Sequence, residues 1–157
     1  MTLTKTVFTV LTPLTLALPL PVHASQTTTC TKTDTKQIAQ LFDRWNTAVK
    51  SSDPEAVAAQ YTRDAVLLPT LSNQLRLDEA ARIDYFTFFL DKKPEGKIDS
   101  RRIQIGCNSA IDTGLYTFTF ADKSTAQARY TFTYAWLNGK WLITSHHSSL
   151  MPETVTD

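Results

Sequence analysis

Residues 128–148, ARYTFTYAWLNGKWLITSHHS, carry the strongest fold signal in the chain. Residues 126–136 alternate strictly, Arg129, Thr131, Thr133 and Ala135 on one side and Tyr130, Phe132, Tyr134 and Trp136 on the other. Alternation with period two is the mark of a strand whose faces meet different surroundings. Asn138-Gly139 then supplies the dipeptide preferred in two-residue hairpin turns, and Trp141 to Ser149 reads as the returning strand. Working back, Ala110 to Phe120 and Ile98 to Cys107 show the same habit, with Asn108-Ser109 and residues 121–124 between them. The C-terminal half is therefore expected to be a four-stranded antiparallel meander.

Upstream the period changes. Ile38, Leu41, Phe42, Trp45, Ala48 and Val49 recur at helical spacing behind Asp34 or Thr35 as a cap, which predicts an amphipathic helix. Ser52-Asp53-Pro54-Glu55 caps a second, short helix reaching about Tyr61. Asp64 to Pro69 and Gln74 to Leu77 read as a small hairpin. A third helix begins at Asp78 and ends before Lys93-Pro94-Glu95-Gly96. Three helices followed by a meander predict an α+β domain, with the helices gathered on one face of a bent antiparallel sheet.

The chain has 157 residues, with 16 Lys and Arg against 15 Asp and Glu, and is 42% hydrophobic. That is the profile of one globular domain without a long-range field. Nucleic acid and an anionic membrane surface are therefore poor partners, and a small ligand or a neutral protein surface is the better expectation. Two cysteines and three histidines leave too few ligands for a zinc ribbon or a multi-histidine centre. Neither a dinucleotide fingerprint nor a phosphate loop occurs, so no metal or cofactor is expected.

Residues 1–24 read as an export signal: Lys5, an apolar run from Val7 to Leu20, and Val22-His23-Ala24 as a cleavage site. The run is broken by Pro13 and Pro19 and is short for a membrane span. Residues 25–35 form a Thr-rich leader, and 36–153 the folded domain. In an exported chain, periplasmic or secreted, Cys30 and Cys107 are expected to form a disulfide.

The element order resembles that of the nuclear-transport-factor-2-like (SnoaL-like) superfamily, cone-shaped domains with a cavity between helices and sheet. Several motifs narrow the likeness: Phe86-Thr87-Phe88-Phe89-Leu90 before Lys93-Pro94, Asp112 to Phe118, Ala128 to Phe132, Gly139-Lys140-Trp141, and His146-His147-Ser148-Ser149-Leu150-Met151-Pro152. Together they resemble exported bacterial relatives of the calcium/calmodulin-dependent protein kinase II association (hub) domain, from about Lys36 to Glu153. The resemblance implies self-association, as a homodimer or a larger ring, and a cavity suited to a small organic acid. No kinase or regulatory segment accompanies it. Ser148 stands where the hub has an arginine, Arg82 falls near the hub's helix histidine, and Arg129 would supply a strand cation.

The candidate ligand-binding residues are accordingly Arg129, Arg82, His146, Ser148, Trp45, Tyr61 and Tyr134. Arg129 either enters the cavity as a bidentate anion clamp or points outward to pair with an acid. The aromatic face of its strand either packs on the helices or forms a dimer surface. His146 and His147 are adjacent on a strand and cannot chelate one ion together; strand parity carried over from the resemblance turns His146 and Ser148 inward. A small isomerase or dehydratase acting on a hydrophobic carbonyl compound is the alternative reading, with His146, Asp112 and Tyr116 as candidate acid–base and donor groups. Asp112 lies near Gly114, where an aspartate commonly satisfies backbone donors instead. Arg101-Arg102 reads first as a solvated pair.

Overall fold

The computed structural model describes residues 29–152; the export signal read at residues 1–24 lies outside them. Helix α1 spans Thr35–Lys50, α2 Pro54–Ala58 and α3 Glu79–Leu90. Each starts on an aspartate. Asp34 forms a full capping box with Gln37, Asp53 accepts from the Glu55 and Ala56 amides beside a proline at the first helical position, and Asp78 accepts from the Ala81 amide. These side chains satisfy the orphan N–H groups of each first turn. The expected helix starts are thus found where the caps stand.

Five strands follow: β1 Tyr61–Leu68, β2 Glu95–Gly106, β3 Ser109–Thr119, β4 Thr125–Leu137 and β5 Lys140–Leu150. They form one sheet in the order β1-β5-β4-β3-β2. The four-stranded meander is present, and Asn138 and Gly139 both take positive φ in its last turn, as that hairpin type requires. One expectation is corrected. The segment read as half of a small hairpin instead becomes β1 and pairs parallel with β5; its contact with the second half is reduced to a single Leu67–Arg76 bridge. Ala65 and Leu67 are buried, so the long β5 edge offers more apolar cover than a two-stranded ribbon could.

The helices lie on one face of the sheet. Ile38, Phe42, Trp45 and Val49 of α1 and Tyr85, Phe86 and Phe89 of α3 meet Tyr116, Phe118, Tyr130, Phe132 and Tyr134 in a single core. The aromatic face of β4 therefore packs on the helices, and Arg129 and Thr131 occupy the outer face.

Two irregularities decide which polar groups face inward. The pairing of β4 with β5 shifts between Thr133 and Tyr134, opposite Ser145 and Ile143. Ile143 and His146 are an odd number of residues apart, yet both are buried, because the extra residue flips the parity of the strand. The pairing of β2 with β3 shifts between Ile98 and Ser100, which in the same way turns Arg101 toward the core side. Gly114 is required there, since a Cβ would lie 2.0 Å from the Ser100 carbonyl oxygen.

Cys30 and Cys107 form a disulfide. The bond closes a separation of 77 residues and ties the segment before α1 to the β2–β3 turn. Asn108, at positive φ in that turn, reinforces the tie by accepting from the Thr31 amide at 2.7 Å and donating to the Thr29 carbonyl at 2.9 Å.

Candidate functional site

A cleft opens between α3, the loop after β1 and the inner face of β3–β5, with Trp45, Tyr116, His146, Ser148 and Thr70 among its lining residues. Most of the remaining wall is aromatic or aliphatic, including Tyr85, Phe89, Phe118 and Leu150. The interior is narrow, about 40 Å³ for the centres of water-sized groups.

A line of polar groups runs along its floor. The Trp45 indole N–H donates to the Tyr61 hydroxyl at 3.0 Å, and that hydroxyl lies 2.9 Å from His146 Nδ1. His146 Nε2 is 3.5 Å from the Tyr116 hydroxyl, which donates to Ser148 Oγ at 2.5 Å. Ser148 Oγ and Thr70 Oγ1 are 2.5 Å apart. The imidazole stacks on Phe132 with ring centroids 3.9 Å apart. Burial drives its pKa down to about 3, with the neighbouring His147 adding to the shift, so His146 is neutral at physiological pH. Burial likewise raises the Tyr61 and Tyr116 hydroxyls well above the usual phenol range. Every group in the line is uncharged.

The cations expected in the cavity stand elsewhere. Arg129 is exposed on the outer face, in a shallow depression with Thr113, Thr131, His147 and Ser149. Arg82 is buried, but its guanidinium donates to the carbonyls of Ala65, Thr62 and Arg63 at 2.7, 2.9 and 3.1 Å and lies over the Tyr61 ring. Three of its hydrogens fasten α3 to β1, while its buried Nε–H has no partner among the described residues. Tyr134 is buried in the core away from the cleft lining, and Tyr61 sits one hydrogen bond behind the lining. His147 is exposed on the outer face.

Asp112 does not serve a turn. It lies mid-strand opposite Phe132, fully enclosed, with Arg101 Nη2 2.9 Å from Oδ2 and the Tyr130 hydroxyl donating to Oδ1 at 3.0 Å. Burial raises its pKa, and Arg101 and the Tyr130 hydrogen bond pull it back. Of the Arg101-Arg102 pair only Arg102 is solvated; Arg101 reaches inward over the Phe42 ring. This cluster is not part of the cleft lining.

Sequence reading did not single out Thr70, Tyr85 or Phe89 for the cleft. Thr70 follows Pro69 in a loop that carries no motif, and the aromatics of α3 look like ordinary core at helical spacing. Among the described residues there is no group of three or more His, Cys, Asp and Glu placed to hold a metal ion, and no helix is long and apolar enough to cross a membrane.

Solved structures place this geometry among known folds. A protein assigned to the calcium/calmodulin dependent protein kinase II association domain from Xanthomonas campestris is 44% identical, with 83% of this chain and 100% of that chain covered and a TM-score of 0.76. A nuclear transport factor 2-like protein of unknown function from Pseudomonas putida KT2440 is 19% identical over 73% of this chain and 84% of its own, with a TM-score of 0.65. A superfamily member from Salmonella enterica serovar Typhimurium is 18% identical, covering 76% and 92%, at 0.63. The last two establish the cone-shaped fold. No curated protein matches the chain in sequence. The sequence pattern of the calcium/calmodulin dependent protein kinase II association domain matches residues 34–152, and the chain belongs to that family.

Proposed function

We propose that this chain is an exported, non-catalytic association domain that pairs with a second copy through the outer face of its sheet and holds a small uncharged molecule in its cleft. The observation that carries self-association is the character of that outer face. The helices cover the opposite side, while the outward rows of β3, β4 and β5 contain no carboxylate and present Ile111, Thr113, Leu115, Thr131, Thr133 and Leu142, several of them already half-buried in a single chain. A partly apolar surface without carboxylates, on which Arg129 is the central charge, suits an interface, and one face meeting itself closes a two-fold dimer. Membership of an association-domain family supports the same reading. The export-type leader and the Cys30–Cys107 disulfide support an oxidising destination.

The cleft supports a ligand without charge. Its lining has no Lys, Arg, Asp or Glu, and an organic anion buried there would lose its hydration without gaining a counter-ion. The enzymatic alternative draws no support from the same groups. An imidazole with a pKa near 3 is a poor proton acceptor at neutral pH, and Asp112 is paired away from the cleft.

Native mass spectrometry of the mature, oxidised protein tests this reading. A dimer or larger ring is expected, converted to monomer by Thr131→Glu with Thr133→Glu. A monomer at micromolar concentration for the unmutated chain would refute self-association.

A further inference from the structure

Resting on the reading of the cleft as a ligand site, we infer that it selects an uncharged molecule carrying a hydrogen-bond acceptor, such as a small ketone, over an apolar molecule of the same shape. A count of hydrogens along the floor carries this. An indole N–H can only donate, so the Tyr61 oxygen accepts from Trp45. The single Tyr61 hydrogen then goes to the atom 2.9 Å away, His146 Nδ1, which must be bare. A neutral imidazole keeps one hydrogen, and it stands on Nε2, toward the Tyr116 oxygen. The Tyr116 hydrogen goes to Ser148 Oγ.

Ser148 and Thr70 own two hydroxyl hydrogens between them, and the bond joining them uses one. Whichever residue donates, one hydrogen is left over, and neither hydroxyl makes a further protein contact among the described residues. Both hydroxyls belong to residues that line the cleft, whose wall also includes Leu71 and Leu150. The line therefore has a direction: every donor is satisfied from Trp45 outward, and the outermost one awaits an acceptor. A donor left unmatched when a ligand expels water is penalised, whereas a carbonyl oxygen placed there restores the bond. The aromatic wall takes the alkyl remainder.

The test uses the whole mature protein and three probes of similar size: 2-pentanone, its alkene isostere 2-methyl-1-pentene, and pentanoate, titrated at pH 7 with NMR detection. The ketone is expected to bind about tenfold tighter than the alkene, with pentanoate weakest. By the same count Thr70→Val hands the leftover hydrogen to Ser148 and Ser148→Ala leaves it on Thr70, so each single variant should keep the preference for the ketone, and loss of that preference in either would refute the count. Equal binding of ketone and alkene overturns the inference and leaves the cleft a plain apolar site. Preference for pentanoate overturns both the inference and the uncharged-ligand reading. Binding of none removes the cleft as a site, and the inference with it. The direction of the line has its own readout: ¹⁵N NMR of the His146 ring should show the hydrogen on Nε2, and a hydrogen on Nδ1 would refute the count.

Discussion

Tyr61 and His146, 85 residues apart in the chain, meet at 2.9 Å across the parallel β1–β5 edge. The phenol hydrogen and the bare Nδ1 complete each other inside an aromatic shell, so protonating the ring would put a charge where no acid waits.

Stability should therefore depend on pH. The His146 pKa is about 3 in the folded protein against 6.5 for the free side chain. Between those values the unfolded chain binds a proton that the folded one refuses. The contribution is complete above pH 6.5 and is lost as pH falls from there toward 3, by about 1 kcal/mol per unit. Urea unfolding at pH 7, 6 and 5 reads this slope before most carboxylates titrate. His146→Phe should flatten it; an unchanged slope would assign it to other groups.

The ion pair between partly exposed Arg101 and enclosed Asp112 gives a second expectation. Asp112→Asn leaves the inward guanidinium without its counter-charge and should cost about 3 kcal/mol of stability, while replacing both residues with leucine should recover most of the loss. A double-mutant cycle in urea measures the coupling. Coupling near zero would show that solvent, and not Asp112, balances Arg101.

Opening the disulfide should also be costly. A loop of 77 residues corresponds to about 4.5 kcal/mol in the chain-entropy account. Unfolding with and without reductant, alongside Cys107→Ser, checks the figure. Reduced protein as stable as oxidised would mean that the Asn108 contacts alone hold the N-terminal segment.

Arg129 separates the two surfaces. Arg129→Ala should leave 2-pentanone affinity unchanged, because the side chain stands on the far side of the sheet from the cleft. Measured by the same NMR titration, a loss of affinity beyond about threefold would place the ligand on the outer face.

The helices, the strand order of the meander and the partition of β4 into an aromatic and a small polar face are legible in the chain, because each follows from local rules. Aspartate caps mark the three helix starts, Asn138-Gly139 fixes one turn, and period two assigns Phe132 and Thr133 to opposite sides. The cysteine pairing was legible too, since two cysteines allow one intramolecular bond. Apart from the parity taken from the resemblance, which has His146 and Ser148 inward, tertiary structure decided which polar groups meet. Straight alternation from Ile143 would turn His147 inward, and from Ile98 it would turn Arg102 inward; one extra residue in each strand reverses both, and bulges depend on how neighbouring strands pair. Whether Arg82 and Arg129 are free cations was equally beyond local reading. A guanidinium's role depends on what lies around it, and for Arg82 that is three carbonyls of β1, brought there only when α3 docks on the sheet.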